Sequence, residues 1–170
     1  MMTARASIVT LFAIVVFAPI ALTPDLDSPA MAAGSSSTSR PSAPPKAQPS
    51  DYDLGVKAVK AGDYQRALAL LQKVVQAEPR NADAWNYVGF SHRKLKQFDQ
   101  SLAAYQKALA INPDHRGANE YLGELYLMTG EPQKARERLA KLQSLCPRGC
   151  EEYEDLKKAV ETYQSVQKKG

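Results

Sequence analysis

The chain has 170 residues, of which 44% are hydrophobic and 24% charged, with two cysteines and a formal net charge of +4. That length fits one domain, and the balance excludes a fully disordered chain, a collagen and a polytopic membrane protein. Two cysteines are too few for a disulfide-dense miniprotein, and the mild excess of base matters only where it clusters.

Residues 1–32 read as a secretory signal peptide. Arg5 and the terminal amine supply a positive start, and Ile8 to Leu22 is apolar apart from Thr10, with Pro19 as the one interruption. This run is shorter than the roughly 20 residues that span a bilayer as a helix. Ala30-Met31-Ala32 offers a small-x-small cleavage site, so the cut is expected after Ala32; the alternative is an uncleaved anchor. No cysteine stands at the cut to take a lipid, and a single Arg does not make a twin-arginine signal. The leader is of bacterial, Gram-negative type, which places the mature chain in the periplasm, where thiols oxidise. Residues 33–50 are rich in Ser and Pro and contain no large apolar side chain. Such a segment cannot offset the entropy of its own ordering, and it is expected to be a disordered, partly extended linker.

From residue 51 onward the sequence repeats itself. Gly55, Gly89 and Gly123 are 34 residues apart, as are Pro79, Pro113 and Pro147. Ala67, Ser101 and Ala135 keep the same spacing, and Leu54, Val88 and Leu122 precede the three glycines. Each unit holds two runs of helical periodicity split by a polar turn, at Lys60–Asp63, Leu95–Gln97 and Thr129–Glu131. Tyr64, Phe98 and Pro132 start the second helix of each unit; Asp63 can cap the first of these, and Pro132 sits where a missing N–H costs nothing. The three glycines let the paired helix come close, Ala67, Ser101 and Ala135 supply the matching gap, and Leu71, Tyr105 and Leu139 are expected to fill the space between neighbouring pairs. The prolines end each second helix. A final amphipathic run, Glu151–Gln167, carries Tyr153, Leu156, Val160 and Tyr163 on one face. It lies in phase with the first helix of a fourth unit and is expected to cap the open apolar end of the stack.

Trp85, Val88, Gly89, Ser101, Tyr105, Ala108 and Pro113 in the second unit carry the resemblance to a known family: the sequence resembles the tetratricopeptide repeat family. The family's tryptophan is replaced by Asp51 and Asn119 in the other units, and its first-helix tyrosine, kept at Tyr126, is replaced by Ala58 and His92. The resemblance implies an all-α, right-handed superhelical solenoid, with repeats at 51–80, 81–114 and 115–148 and a capping helix and tail at 149–170. It also implies a concave groove lined by the first helix of each repeat. By register the groove holds Tyr52, Val56, Val59 and Lys60, then Asn86, Phe90, Arg93 and Lys94, then Glu120, Glu124, Leu127 and Met128. Val56, Phe90 and Leu127 could instead pack between helices. One subset of the family clamps a C-terminal carboxylate with Lys, Asn and Arg; the matching positions here are Tyr52, Val56, Tyr87, Gly117 and Tyr121, so that clamp is absent.

Cys146 and Cys150 flank the turn Cys-Pro-Arg-Gly-Cys before the last helix. In an oxidising compartment they are expected to pair and pin the cap, closing a small loop for about 2 kcal/mol. The alternative is a Cu(I) or thiol-redox site, since soft thiolates suit copper; the histidines, His92 and His115, need not lie near the turn. Arg93, Lys94 and Lys96 cluster at a helix C-terminus, where the dipole favours them anyway, while Lys134, Arg138 and Lys141 are diluted by Glu131 and Glu137. No nucleic-acid partner is expected from this pattern. No nucleophile–base set, phosphate loop or metal motif appears, so neither an enzyme nor a cofactor is expected. The expected function is a periplasmic adaptor or scaffold that binds a peptide or protein segment in the groove, and self-association is compatible with it.

Overall fold

In a computed structural model, residues 49–168 are described, and they form seven helices with no strand among them. The expected leader and nearly all of the expected linker lie outside these residues. The helices are α1 (Asp51–Lys60), α2 (Tyr64–Ala77), α3 (Ala82–Lys94), α4 (Phe98–Ile111), α5 (Arg116–Met128), α6 (Pro132–Leu145) and α7 (Glu151–Gln167). They make three hairpins, α1–α2, α3–α4 and α5–α6, which stack side by side through α2 on α3 and α4 on α5. The result is an all-α repeat solenoid with α1, α3 and α5 as its inner helices.

Local chemistry sets the boundaries. Ser50 and Asp53 form a capping box at the start of α1, each side chain accepting the other's backbone N–H at 3.1 Å. Asp63 accepts from Arg66 N at 3.1 Å and Asn81 from Ala84 N at 2.9 Å. His115 caps α5 by accepting from Ala118 N through Nδ1 at 3.1 Å. That leaves the proton on Nε2, which donates to Asp83 on α3 at 3.0 Å and ties the two inner helices together. The outer helices each stop two residues before a proline, at Ala77, Ile111 and Leu145. The residue before the proline is extended in every case, with φ of −126° at Glu78 and −134° at Asn112 and Cys146.

The repeat is held by contacts that recur with it. Trp85 Nε1 donates to the Pro79 carbonyl at 3.0 Å, and 34 residues later Asn119 Nδ2 donates to the Pro113 carbonyl at 3.1 Å. Asn119 thus replaces the tryptophan's ring but keeps its donor. Ser101 Oγ, fully buried, donates to the Gly89 carbonyl at 2.8 Å across the hairpin. A methyl group on Gly55 would lie 2.7 Å from Leu71, and one on Gly89 would lie 2.6 Å from the Tyr105 ring. Leu71 and Tyr105 thus pack on the glycine of their own hairpin and not between pairs as expected; in the third hairpin Leu139, at the same register, is only half-buried. The side chain over Gly123 is Leu156 of α7, whose Cδ2 would lie 2.5 Å from an added methyl. The cap therefore does more than cover the end of the stack: it packs chiefly on the inner helix α5 and less on α6.

The three hairpin turns also share one geometry. Gly62, Lys96 and Gly130, again 34 residues apart, have φ of +77°, +60° and +78°. A side chain is disfavoured there, and only the middle turn carries one. Replacing Lys96 by Gly is expected to raise stability by about 0.5–1 kcal/mol, read from urea unfolding with the m-value unchanged.

Candidate functional site

The inner helices run the same way, so their N-terminal ends gather at one end of the groove and their C-terminal ends at the other. α7 joins them and forms a wall of both ends. Two adjoining clefts result, and they share Asp155.

The first cleft, about 390 Å³, is lined by Tyr52, Tyr87 and Tyr121, by Asn86, and by the carboxylates Asp83, Glu120, Glu151, Glu152 and Asp155, with His115 and Gly117 at its floor and rim. Among the described residues no lysine or arginine lines it. Asp83 meets His115, and Glu152 meets Arg116 at 3.5 Å from outside the cleft. Tyr52 and Tyr87 pack edge to face, with ring centroids 6.2 Å apart. Two polar side chains here are almost wholly buried: Asn86 is 5% exposed and Glu120 is 6% exposed. Among the described residues Asn86 Oδ1 has no hydrogen-bond partner. Burial pushes the Glu120 carboxyl up to about 8, and the neighbouring charges of Glu124, Asp155 and Glu152 push the same way against the pull of Arg93. The same burial, with Glu120 and Glu124 beside it, raises the Tyr121 hydroxyl to about 12.

The second cleft, about 610 Å³, is lined by Arg93 and Lys94 of α3, Glu124, Leu127 and Met128 of α5, and Asp155, Lys158, Ala159, Thr162 and Tyr163 of α7. Arg93 is 7% exposed and bonds Glu124 at 2.5 Å. Its guanidinium carbon lies 5.3 Å from the centres of both the Phe90 and Tyr121 rings. Met128 is half exposed and opens the apolar side of the cleft to solvent.

Tyr52, Asn86 and Glu120 therefore meet in one cleft, and Arg93, Lys94, Glu124, Leu127 and Met128 in the other. Phe90 stands between hairpins, tilted on Tyr121 with centroids 4.9 Å apart, edge-on to Tyr64 at 6.1 Å, and beneath Lys94 Nζ at 5.1 Å. Val59 is in the hydrophobic core, and Val56 and Lys60 line neither cleft. Sequence reasoning missed the α7 wall, and it placed Tyr87 and Tyr121 only at the registers of the absent clamp and not among the groove residues. A signal was there: two repeats on, the registers of Phe90 and Lys94 are Lys158 and Thr162, and that of Tyr87 is Asp155. Cys146 and Cys150 come together, with Cα atoms 5.9 Å apart, beside the start of α7. Among the described residues no three His, Cys, Asp or Glu side chains group to hold a metal ion.

Two tetratricopeptide repeat family models match the sequence, over residues 52–96 and 82–115. Residues 52–115 therefore match the tetratricopeptide repeat pattern. It is similar to tetratricopeptide repeat protein 37 of Xenopus laevis, 39% identical over 69 residues that are 41% of this chain and 4% of that protein. It is also similar to protein FlbA of Caulobacter vibrioides, 34% identical over 47% of this chain and 13% of the relative. The chain thus spans only a small part of these curated relatives. Among solved structures, MamA from residue 41 onward, of Desulfovibrio magneticus RS-1, is 27% identical with a TM-score of 0.54, over 56% of this chain and 54% of that one. The first such domain of Spaghetti (RPAP3), bound to the HSP90 peptide SRMEEVD, shares the fold at 21% identity and a TM-score of 0.59, over 66% of this chain and 89% of that one. The Yersinia enterocolitica type III secretion translocator chaperone SycD shares it at 17% and 0.62, over 69% and 83%.

The raised Glu120 carboxyl has a consequence for stability. Between about pH 4.5 and 8 the folded chain keeps a proton that the unfolded chain has released. Its contribution therefore falls as pH rises through that window and levels off above it. Glu120→Gln, which mimics the protonated acid, is expected to match the parent near pH 5 and exceed it at pH 8.5, measured as the difference in urea midpoints across pH.

Proposed function

We propose that this chain is a non-enzymatic scaffold that holds a peptide or protein segment in the groove between α3, α5 and α7. The observation that carries the reading is the pairing of two open, adjoining clefts with a buried amide, Asn86, that the protein itself leaves without a partner. A buried acceptor without a donor costs about 1–3 kcal/mol, which a ligand N–H recovers on binding. The apolar opening at Met128 beside Lys94 and Lys158 suits an amphipathic segment. The peptide held by Spaghetti speaks for what this architecture can hold, and its chemistry belongs to that protein.

The reading includes export. The pattern of residues 1–32 supports a cleaved leader of bacterial type and a periplasmic mature chain, and the close approach of Cys146 and Cys150 supports a disulfide there. The bond would tie the last carbonyl turn of α6 to the N-terminus of α7, the helix that walls the groove.

Capture of partners by the immobilised protein tests the groove. Asn86→Ala and Met128→Glu, at parent helicity, are each expected to reduce capture of the same polypeptides about tenfold or more; undiminished capture by both rejects the site. Intact mass from a Gram-negative host tests the rest. The expected species begins at Ala33 and is lighter than the dithiol by two hydrogen atoms; a chain with its leader intact and two alkylatable thiols contradicts export and pairing.

A further inference from the structure

Resting on the groove reading above, we infer that the acidic cleft between α3, α5 and α7 seats a basic side chain of the bound segment, with arginine preferred to lysine. Three separate features converge there. Among the described residues the cleft wall carries five carboxyl groups and no lysine or arginine, and Glu120, Glu151 and Asp155 have no ion-pair partner. Asn86, 95% buried, presents Oδ1 without a donor. Tyr52, Tyr87 and Tyr121 line the same cleft and set aromatic rings beside a cation that enters it.

A guanidinium answers all three at once. Its planar fork donates to a carboxylate on one edge and to the Asn86 oxygen on another, while its face lies on a tyrosine ring. An ammonium answers the carboxylates but cannot stack in the same way. An acidic segment meets like charge, with no cation in the wall to offset it. The specificity is thus opposite in sign to that of a carboxylate clamp, whose positions carry Tyr52, Val56, Tyr87, Gly117 and Tyr121 here. Glu120 supports the same occupant: its carboxyl sits among Glu124 on its own helix, Glu152 and Asp155 on α7 and only Arg93 on α3, and an entering cation relieves that crowding.

The test uses an oriented library of acetylated nonapeptides with a fixed central Arg, Lys, Gln, Leu or Glu and randomised neutral flanks. Binding of each pool to the full chain is read by fluorescence anisotropy. The Arg pool is expected to bind on the order of tenfold more tightly than the Gln pool, with Lys between them and Glu weakest. In Glu120→Gln/Asp155→Asn, and separately in Asn86→Ala, the Arg preference over Gln should shrink to about twofold or less in variants that keep the parent's helix content and remain fully folded at the assay temperature. Pools that bind equally, or an Arg preference that survives in both variants, overturn the inference and leave the groove reading standing. Failure of every pool to bind overturns both.

Discussion

Everything in this fold hangs on one close approach: a side chain from a neighbouring helix lying against a glycine of an inner helix. At Gly55 and Gly89 the neighbour is Leu71 or Tyr105 of the same hairpin, and both are fully buried. Each contact needs a position with no side chain, a large apolar group opposite and a hairpin of fixed length to align them. Period, helix length and turn geometry are therefore one constraint. At Gly123 the same slot is filled by Leu156 of α7 instead. That substitution brings α7 onto the inner face, where it becomes a wall of the groove.

The charge division of the groove follows from the same repetition. Acidic residues stand in the first turns of α3 and α7 and basic ones in the last turn of α3, as helix dipoles favour. Because the inner helices run in parallel, these preferences add up in space: carboxylates collect at one end, and Arg93, Lys94 and Lys158 toward the other. Burial then sharpens the contrast. Glu120 is enclosed with other acids and holds its proton, whereas Glu124, one helical turn on, pairs with Arg93. A sheet or an antiparallel bundle would have mixed the two signs; a stack of identical hairpins segregates them.

The repeat was legible because it is a backbone property. Glycine stands where a turn takes positive φ or a helix comes close, and proline where a helix must stop, and at 34-residue spacing they mark out the three hairpins and the turns at Gly62, Lys96 and Gly130. The groove was partly legible. Asn86, Arg93 and Glu120 share a face by register alone, but Val59, at the register of Arg93, is an apolar side chain that packs into the core instead of lining a cleft. Least legible was the seat of α7. Its apolar face, Tyr153, Leu156, Val160 and Tyr163, states that something is covered without stating what. Leu156 docks on Gly123 rather than copying Leu122 or Val88, and only the three-dimensional fit decides that.

The most direct test of this account is a double-mutant cycle between Gly123 and Leu156, read from urea unfolding. If Leu156 sits on Gly123, Gly123→Ala costs about 1–3 kcal/mol in the parent and less than half of that in the Leu156→Ala background, where the added methyl finds room. An equal cost in both backgrounds would mean that α7 does not rest on α5, and the groove wall it supplies would be lost with it.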